Sequence, residues 1–211
     1  EYGEQSGGVT STTLKSGTNN FHGTLFEYYR NDKFDADNYF GPTPLHRHQW
    51  GGSIGGPIRK DKTFFFTDFE SLHADSAYAF ASNVPNLAAR TAATTNSTVQ
   101  QIFFGGTGGN GSNPLIPKCQ VDTSSTPGFC VFTNNPVNQV REYYGVVKMD
   151  HTISSKNSIS SSYNIDQSTQ YAPTQLNITA DDVYMRRQVF SLADTYIITP
   201  ALVNTARFGV H

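Results

Sequence analysis

Residues 143–166 read Tyr143-Tyr144-Gly145-Val146-Val147-Lys148-Met149-Asp150-His151-Thr152-Ile153-Ser154-Ser155-Lys156-Asn157-Ser158-Ile159-Ser160-Ser161-Ser162-Tyr163-Asn164-Ile165-Asp166. Tyr143, Val147 and Met149 fall on one parity of the first half, with Lys148 and Asp150 on the other. In the second half Ile159, Tyr163 and Ile165 oppose Ser158, Ser160, Ser162 and Asn164. Period two with one polar and one apolar face is the pattern of a half-buried strand. The polar triplet Ser154-Ser155-Lys156 joins the halves, so the stretch is a hairpin with a tight turn. If the serine face borders a wet interior, the Ile/Tyr face must meet an apolar medium.

Outward from this hairpin the same pattern recurs. Residues 8–15 are β-branched and alternating, and Ser16-Gly17-Thr18-Asn19-Asn20 ends them with turn residues. Residues 21–30 carry aromatics on both faces. Over 49–58, Trp50, Ile54 and Ile58 point one way and Gln49 and Ser53 the other; residues 63–70 resume the pattern. A last hairpin pairs 188–198 with 202–211, where Leu202, Ala206, Phe208 and Val210 oppose Thr205, Arg207 and His211. The connections sort by length. Short turns (Arg59-Lys60-Asp61-Lys62, Ser154-Ser155-Lys156 and Thr199-Pro200-Ala201) alternate with long stretches over about 31–46, 75–142 and 168–185. In an up-and-down barrel alternate connections share one side of the membrane, and outer-membrane barrels keep one side short. The expected class is therefore all-β: an antiparallel transmembrane β-barrel fragment of about six strands with long extracellular loops.

Composition agrees with this reading. Charged residues are 15% and aromatics 13% of 211 residues, with 18 Gly and 10 Pro. A formal net charge of -2 gives no electrostatic reason to expect a nucleic-acid partner. No run of 18 apolar residues exists, so no membrane-spanning helix is expected. A mean hydropathy of -0.44 is compatible with barrel strands, which are apolar only at alternate positions. The first residues include neither an initiator Met nor a signal peptide, and the last stop inside a strand pattern. A piece of a longer protein is the expectation. Cys119 and Cys130 lie in the longest loop. They suit a disulfide closed in an oxidising compartment, the alternative being two unrelated thiols; two cysteines are too few for a structural zinc site.

The first seventy residues resemble the plug-to-barrel junction of TonB-dependent outer-membrane transporters, nearest to their Oar-like group. The resemblance is carried by Ser6-Gly7-Gly8-Val9, Lys15-Ser16-Gly17-Thr18-Asn19, Phe21-His22-Gly23, Arg30-Asn31-Asp32, Gly51-Gly52-Ser53-Ile54-Gly55-Gly56-Pro57-Ile58 and Lys60-Asp61-Lys62-Thr63-Phe64-Phe65-Phe66. Lys148-Met149-Asp150-His151 and Pro200-Ala201-Leu202-Val203-Asn204 extend it. It implies a plug domain inside a barrel of about 22 strands. It also implies an inner-membrane TonB energy-coupling complex acting through the plug on an unknown transported ligand. On this reading residues 1–18 are the last plug strand and linker. Residues 19–211 are the first barrel strands, with a long extracellular loop over about 76–142.

Other candidate chemistry is weak. His46-Arg47-His48 places two imidazoles on one strand face without an evident third metal ligand. Asp32, Asp35 and Asp37 lack the glycine and terminal Glu of a calcium loop. The Gly105–112 run lacks the Gly-Lys-Ser/Thr ending of a phosphate loop, and Gly51-Gly52-Ser53-Ile54-Gly55 matches a nucleophile elbow only as letters, without a following helix. Tyr28, Tyr29, Tyr39, Phe40 and Trp50 suit an interfacial girdle or equally the core of a sandwich. Lys148, Asp150, Asp166 and Arg207 are the candidate lumen-lining residues. The expectation is a transporter fragment in outer-membrane lipid, without catalysis or cofactor. A passive porin or adhesin barrel and a secreted carbohydrate-binding β-sandwich are the rivals.

Overall fold

The computed structural model describes residues 13–36, 44–93, 96–104, 116–119, 126–176 and 178–211. Among these residues nine strands follow in chain order: β1 (His22–Asn31), β2 (Leu45–Arg59), β3 (Thr63–Ala77), β4 (Phe80–Pro85), β5 (Phe129–Asn134), β6 (Val137–Ser154), β7 (Asn157–Pro173), β8 (Ala180–Thr199) and β9 (Leu202–Val210). Seven form one antiparallel meander in the order β1-β2-β3-β6-β7-β8-β9. The sheet is open, with β1 and β9 at its edges. Seven strands stand where about six were expected; β1, with aromatics on both faces, carries the weakest alternation.

The register fixes two faces. One row of directly paired residues runs Gly23, Ile54, Thr67, Val147, Tyr163, Phe190, Val210 across all seven strands. The next row toward the short turns contains Phe65, Met149, Ser161, Leu192 and Phe208. Ile54, Val147, Met149, Phe190, Leu192, Phe208 and Val210 all stand exposed on this apolar face. No second sheet covers it among the described residues. The chain exposes 14900 Å², against about 9,700 Å² expected of a folded soluble monomer of this mass. The apolar face therefore needs a medium or a partner. On β6 it reaches from Tyr143 to Ile153, about 34 Å of strand at ~3.4 Å per residue. A tilt of about 45° reduces that to about 24 Å, close to the apolar band of a membrane barrel.

All three short turns are built alike. Each is preceded by a bulge in which the ladder skips one residue, and that residue is Ile58, Ile153 or Ile198. A bulge bends and twists its strand, and barrel rims favour it. Asp61 takes φ 62° in the first turn, a left-handed conformation that Asp tolerates better than most residues. The turns also lock to the next hairpin: Thr152 N–H donates to Lys62 O at 2.7 Å, and Ile197 N–H to Lys156 O at 2.7 Å.

The long-loop end departs from expectation. Strands continue well past the predicted limits, and β6, β7 and β8 reach 18, 17 and 20 residues. About 9–11 residues suffice to span a bilayer. Their distal halves carry polar residues on both parities, such as Arg141, Glu142, Gln167, Ser168, Thr169 and Gln170, so hydropathy alternation ends while the ladder does not. The long loop at 76–142 is not free of structure either. β4 pairs with β5 in a separate two-stranded sheet, joined by helices α1 (Leu87–Ala92) and α2 (Ser97–Phe104). The predicted strand at 8–15 lies outside the described residues up to 12, and Thr13, Leu14 and Lys15 are not in a strand.

Candidate functional site

On the polar face near the short turns, the segment before β1 is sewn onto the sheet. Ser16 Oγ donates to Asp150 Oδ2 at 2.5 Å and accepts from Lys148 Nζ at 2.8 Å. Lys148 and Asp150 themselves pair at 3.6 Å. Three residues on, Asn19 grips the first turn from both ends of its amide. Its Nδ2 donates to Asp61 Oδ1 at 2.6 Å, while its Oδ1 accepts from Asp61 N–H at 2.8 Å. Between these anchors Gly17 lies flat on the strands, with its Cα 3.5 Å from where a side chain on Gly55 would begin. A Cβ on Gly17 would overlap the carbonyl oxygens of Phe65 and Gly56, both rigid backbone atoms. Only glycine fits so close an approach of one backbone to another. The turn signal Ser16–Asn20 is visible in sequence; its docking is a tertiary contact more than 130 residues long and leaves no local trace.

Of the four residues expected on the inner wall, all fall on the polar parity. Lys148 pairs with Ser162, and Asp150 with Ser160; the Ser160 row continues through Ala193 to Arg207. Asp166 lies between Tyr144 and Arg187, toward the long loops. The structure therefore brings Lys148 and Asp150 into one cluster and leaves Asp166 and Arg207 apart. Three further polar residues share this face: Asp68 opposite Ser53, Glu70 opposite Tyr144, and Ser191, whose Oγ is 2.6 Å from Ser162 Oγ.

At the opposite end the β4–β5 insertion forms a small stapled cap. Asn86 caps α1, its side chain accepting from Ala89 N–H at 3.0 Å. Arg90, on that helix, is 3% exposed and spreads its guanidinium over four backbone carbonyls. Nε donates to Pro85 O at 2.6 Å, Nη1 to Phe103 O and Ile116 O at 3.2 and 3.0 Å, and Nη2 to Pro117 O at 2.5 Å. The Phe103 ring lies 5.4 Å from the guanidinium carbon. Burial pushes the Arg90 pKa down, yet a guanidinium stays charged at physiological pH. Cys119 and Cys130 are bonded, with Cα atoms 5.7 Å apart, and Cys130 sits fully buried opposite Val84. Cys119 lies two residues after Pro117, whose carbonyl Arg90 holds together with that of Ile116. Charge and covalent bond thus close the same loop.

The remaining candidates resolve into local contacts. His46 faces Asp32 at 3.2 Å and His48 faces Glu27 at 2.9 Å, so the imidazoles pair with separate carboxylates. Among the described residues no group of three or more His, Cys, Asp or Glu is placed to hold a metal. Asp35 pairs with Arg30 at 2.9 Å, and Asp37 lies outside the described residues, as do residues 105–112 of the glycine run. Ser53 sits mid-strand in β2, 2.9 Å from Thr24 Oγ1, with no helix after it. Trp50, Tyr28 and Tyr29 are exposed on strands, whereas Tyr39 and Phe40 lie outside the described residues.

Comparison with known proteins accords with this geometry. Residues 13–211 match the family described as outer membrane beta barrel domain. The TonB-dependent transporter Oar of Myxococcus xanthus is 32% identical over 79 residues, a third of this chain and 7% of that protein. No solved structure matches the chain. Its location is the bacterial outer membrane, and the chain belongs to the outer membrane beta barrel domain family.

Proposed function

We propose that this chain is the first part of the barrel of a TonB-dependent transporter. The apolar face meets outer-membrane lipid and the polar face lines the lumen. The short turns are periplasmic and the stapled cap extracellular. The observation that carries this reading is the docked segment Ser16–Asn20, which delivers the chain to β1 from the lumenal side at the short-turn end. A passive porin has no preceding domain to deliver. The likeness to Oar supports the same reading, although the chain spans only a small fraction of that protein. The unpaired edges of β1 and β9 support it as well, since an open ladder in hydrocarbon costs several kcal/mol for each unsatisfied group.

Transport on this reading involves no covalent chemistry and no cofactor. Ligand is captured by the extracellular cap and loops. A plug preceding Thr13 then rearranges under pull from the inner-membrane coupling complex, while the Gly17 contact keeps its exit point fixed to the wall. The test is to read the gene on both sides of this segment. A plug and a short coupling box upstream, with many further alternating strands downstream, are the expected result. A start codon just before Glu1 and a stop just after His211 would overturn the transporter assignment.

A further inference from the structure

The apolar face carries a concave feature. A groove of about 700 Å³ is lined by Gly23, Leu25, Trp50, Gly52, Ile54 and Phe69. Five of its neighbours pair around Gly52: Leu25 and Phe69 lie directly opposite it on β1 and β3, and Trp50 and Ile54 flank it along β2, with Gly23 opposite Ile54. Trp50 and Phe69 pack at 5.4 Å between ring centres and form one wall, while Leu25, 92% exposed, forms the other. Gly52 and Gly23 lie at its base, and a Cβ on Gly52 would overlap the Leu25 side chain. Glycine weakens a strand by about 0.5–1 kcal/mol relative to alanine; at position 52 it lets the Leu25 side chain lie close over the strand, with the groove open between Leu25 and the Trp50–Phe69 pair.

Immediately above, the same face turns polar. Glu27 pairs with His48 at 2.9 Å, and Tyr29 packs edge-on to His48. Trp50 stands at the boundary, the level of a barrel's aromatic girdle. An occupant must therefore be apolar along its length and end beneath a polar layer. We propose that the groove seats one acyl chain of an outer-membrane lipid, held longer than the surrounding lipid exchanges. The proposal rests on the reading that this face meets lipid. The groove is continuous with the rest of that lipid-facing band, and its volume falls in the range of small-molecule sites, roughly 300–1,000 Å³.

Trp50 is the only tryptophan in this sequence and lines the groove, so it reports occupancy directly. The experiment uses the full-length protein in phosphatidylethanolamine vesicles in which a rising share of lipid carries brominated acyl chains. The Trp50 signal is obtained by subtracting a Trp50→Phe protein. A seated chain predicts quenching that saturates at a brominated fraction several-fold lower than random exchange requires. Leu25→Ala, which opens one wall, should bring the curve back to the random one, while Ala206→Leu, elsewhere on the face, should not. Trp50 quenching that simply follows the brominated fraction would overturn the seat while leaving the lipid-facing assignment intact. No quenching would overturn both. Heat-modifiable gel migration verifies that each variant is folded.

Discussion

At the scale of single residues, two positions carry more than their size suggests. Gly17 is the point where the incoming chain touches the wall, and its neighbours there are backbone oxygens that no rotamer change can move. Gly17→Val should therefore release the segment without unfolding the sheet. The check is labelling of a Ser16→Cys probe by a membrane-impermeant maleimide, which should become several-fold faster in the Gly17→Val background. Arg90 plays the corresponding part in the cap. Arg90→Met keeps the bulk but leaves four carbonyls without their donor. Buried polar groups without partners cost about 1–3 kcal/mol each, so the cap should loosen by about 3 kcal/mol or more. Faster hydrogen exchange of the β4 and β5 amides, with β6 and β7 unchanged, would show it. Neither role is legible in the sequence. Gly17 reads as one more turn glycine and Arg90 as one more helix cation, because what distinguishes them is contact with residues far along the chain.

At the scale of elements, the two faces of the sheet make unequal demands. Val147→Arg places a charge on the apolar face in mid-strand, where arginine costs about 2–4 kcal/mol in a membrane barrel. Ser160→Arg places the same charge on the polar face beside Asp150 and should be tolerated. Unfolding in urea after reconstitution measures the difference, and equal costs would contradict the assignment of faces. The cap is a second such element. Cys119→Ser removes a crosslink over an eleven-residue separation, for which chain entropy suggests about 2–4 kcal/mol. Barrel assembly should persist while cleavage of the 78–136 segment by added protease becomes faster. Strand existence was legible because alternation is strong where one face must be apolar, as in 143–153 and 157–166. Strand length was not, because beyond the apolar band both parities turn polar and only the hydrogen-bond ladder persists. The cap escaped notice because six-residue strands within Asn/Thr/Gly-rich sequence lack enough periods to register.

At the scale of the whole molecule, the sheet is a wall rather than a core. Among the described residues the buried hydrophobic side chains are few (Ala77, Val84, Cys130 and Val146), and the two most buried, Val84 and Cys130, belong to the cap. Stability must come from the ladder and, on the proposed reading, from lipid on one face and from closure with further strands. The alternation of short and long connections foretold the antiparallel meander, with its short turns at one end and long connections at the other. On the proposed transporter reading the ligand is not legible in the sequence, because the residues that would touch it would lie on loops and on further strands of the barrel. Isolated from those strands, residues 13–211 should fail to yield a heat-modifiable, protease-resistant barrel in detergent, and recovery of one would show that seven strands suffice.

The most direct test of the central claim is a spin-label scan along residues 143–153 of β6 in lipid bilayers, comparing collisions with oxygen and with a water-soluble nickel complex. The account predicts strict period-two alternation: oxygen access at 145, 147, 149 and 151, and nickel access at 146, 148 and 150. Uniform nickel access at both parities, or alternation of the opposite phase, would contradict it.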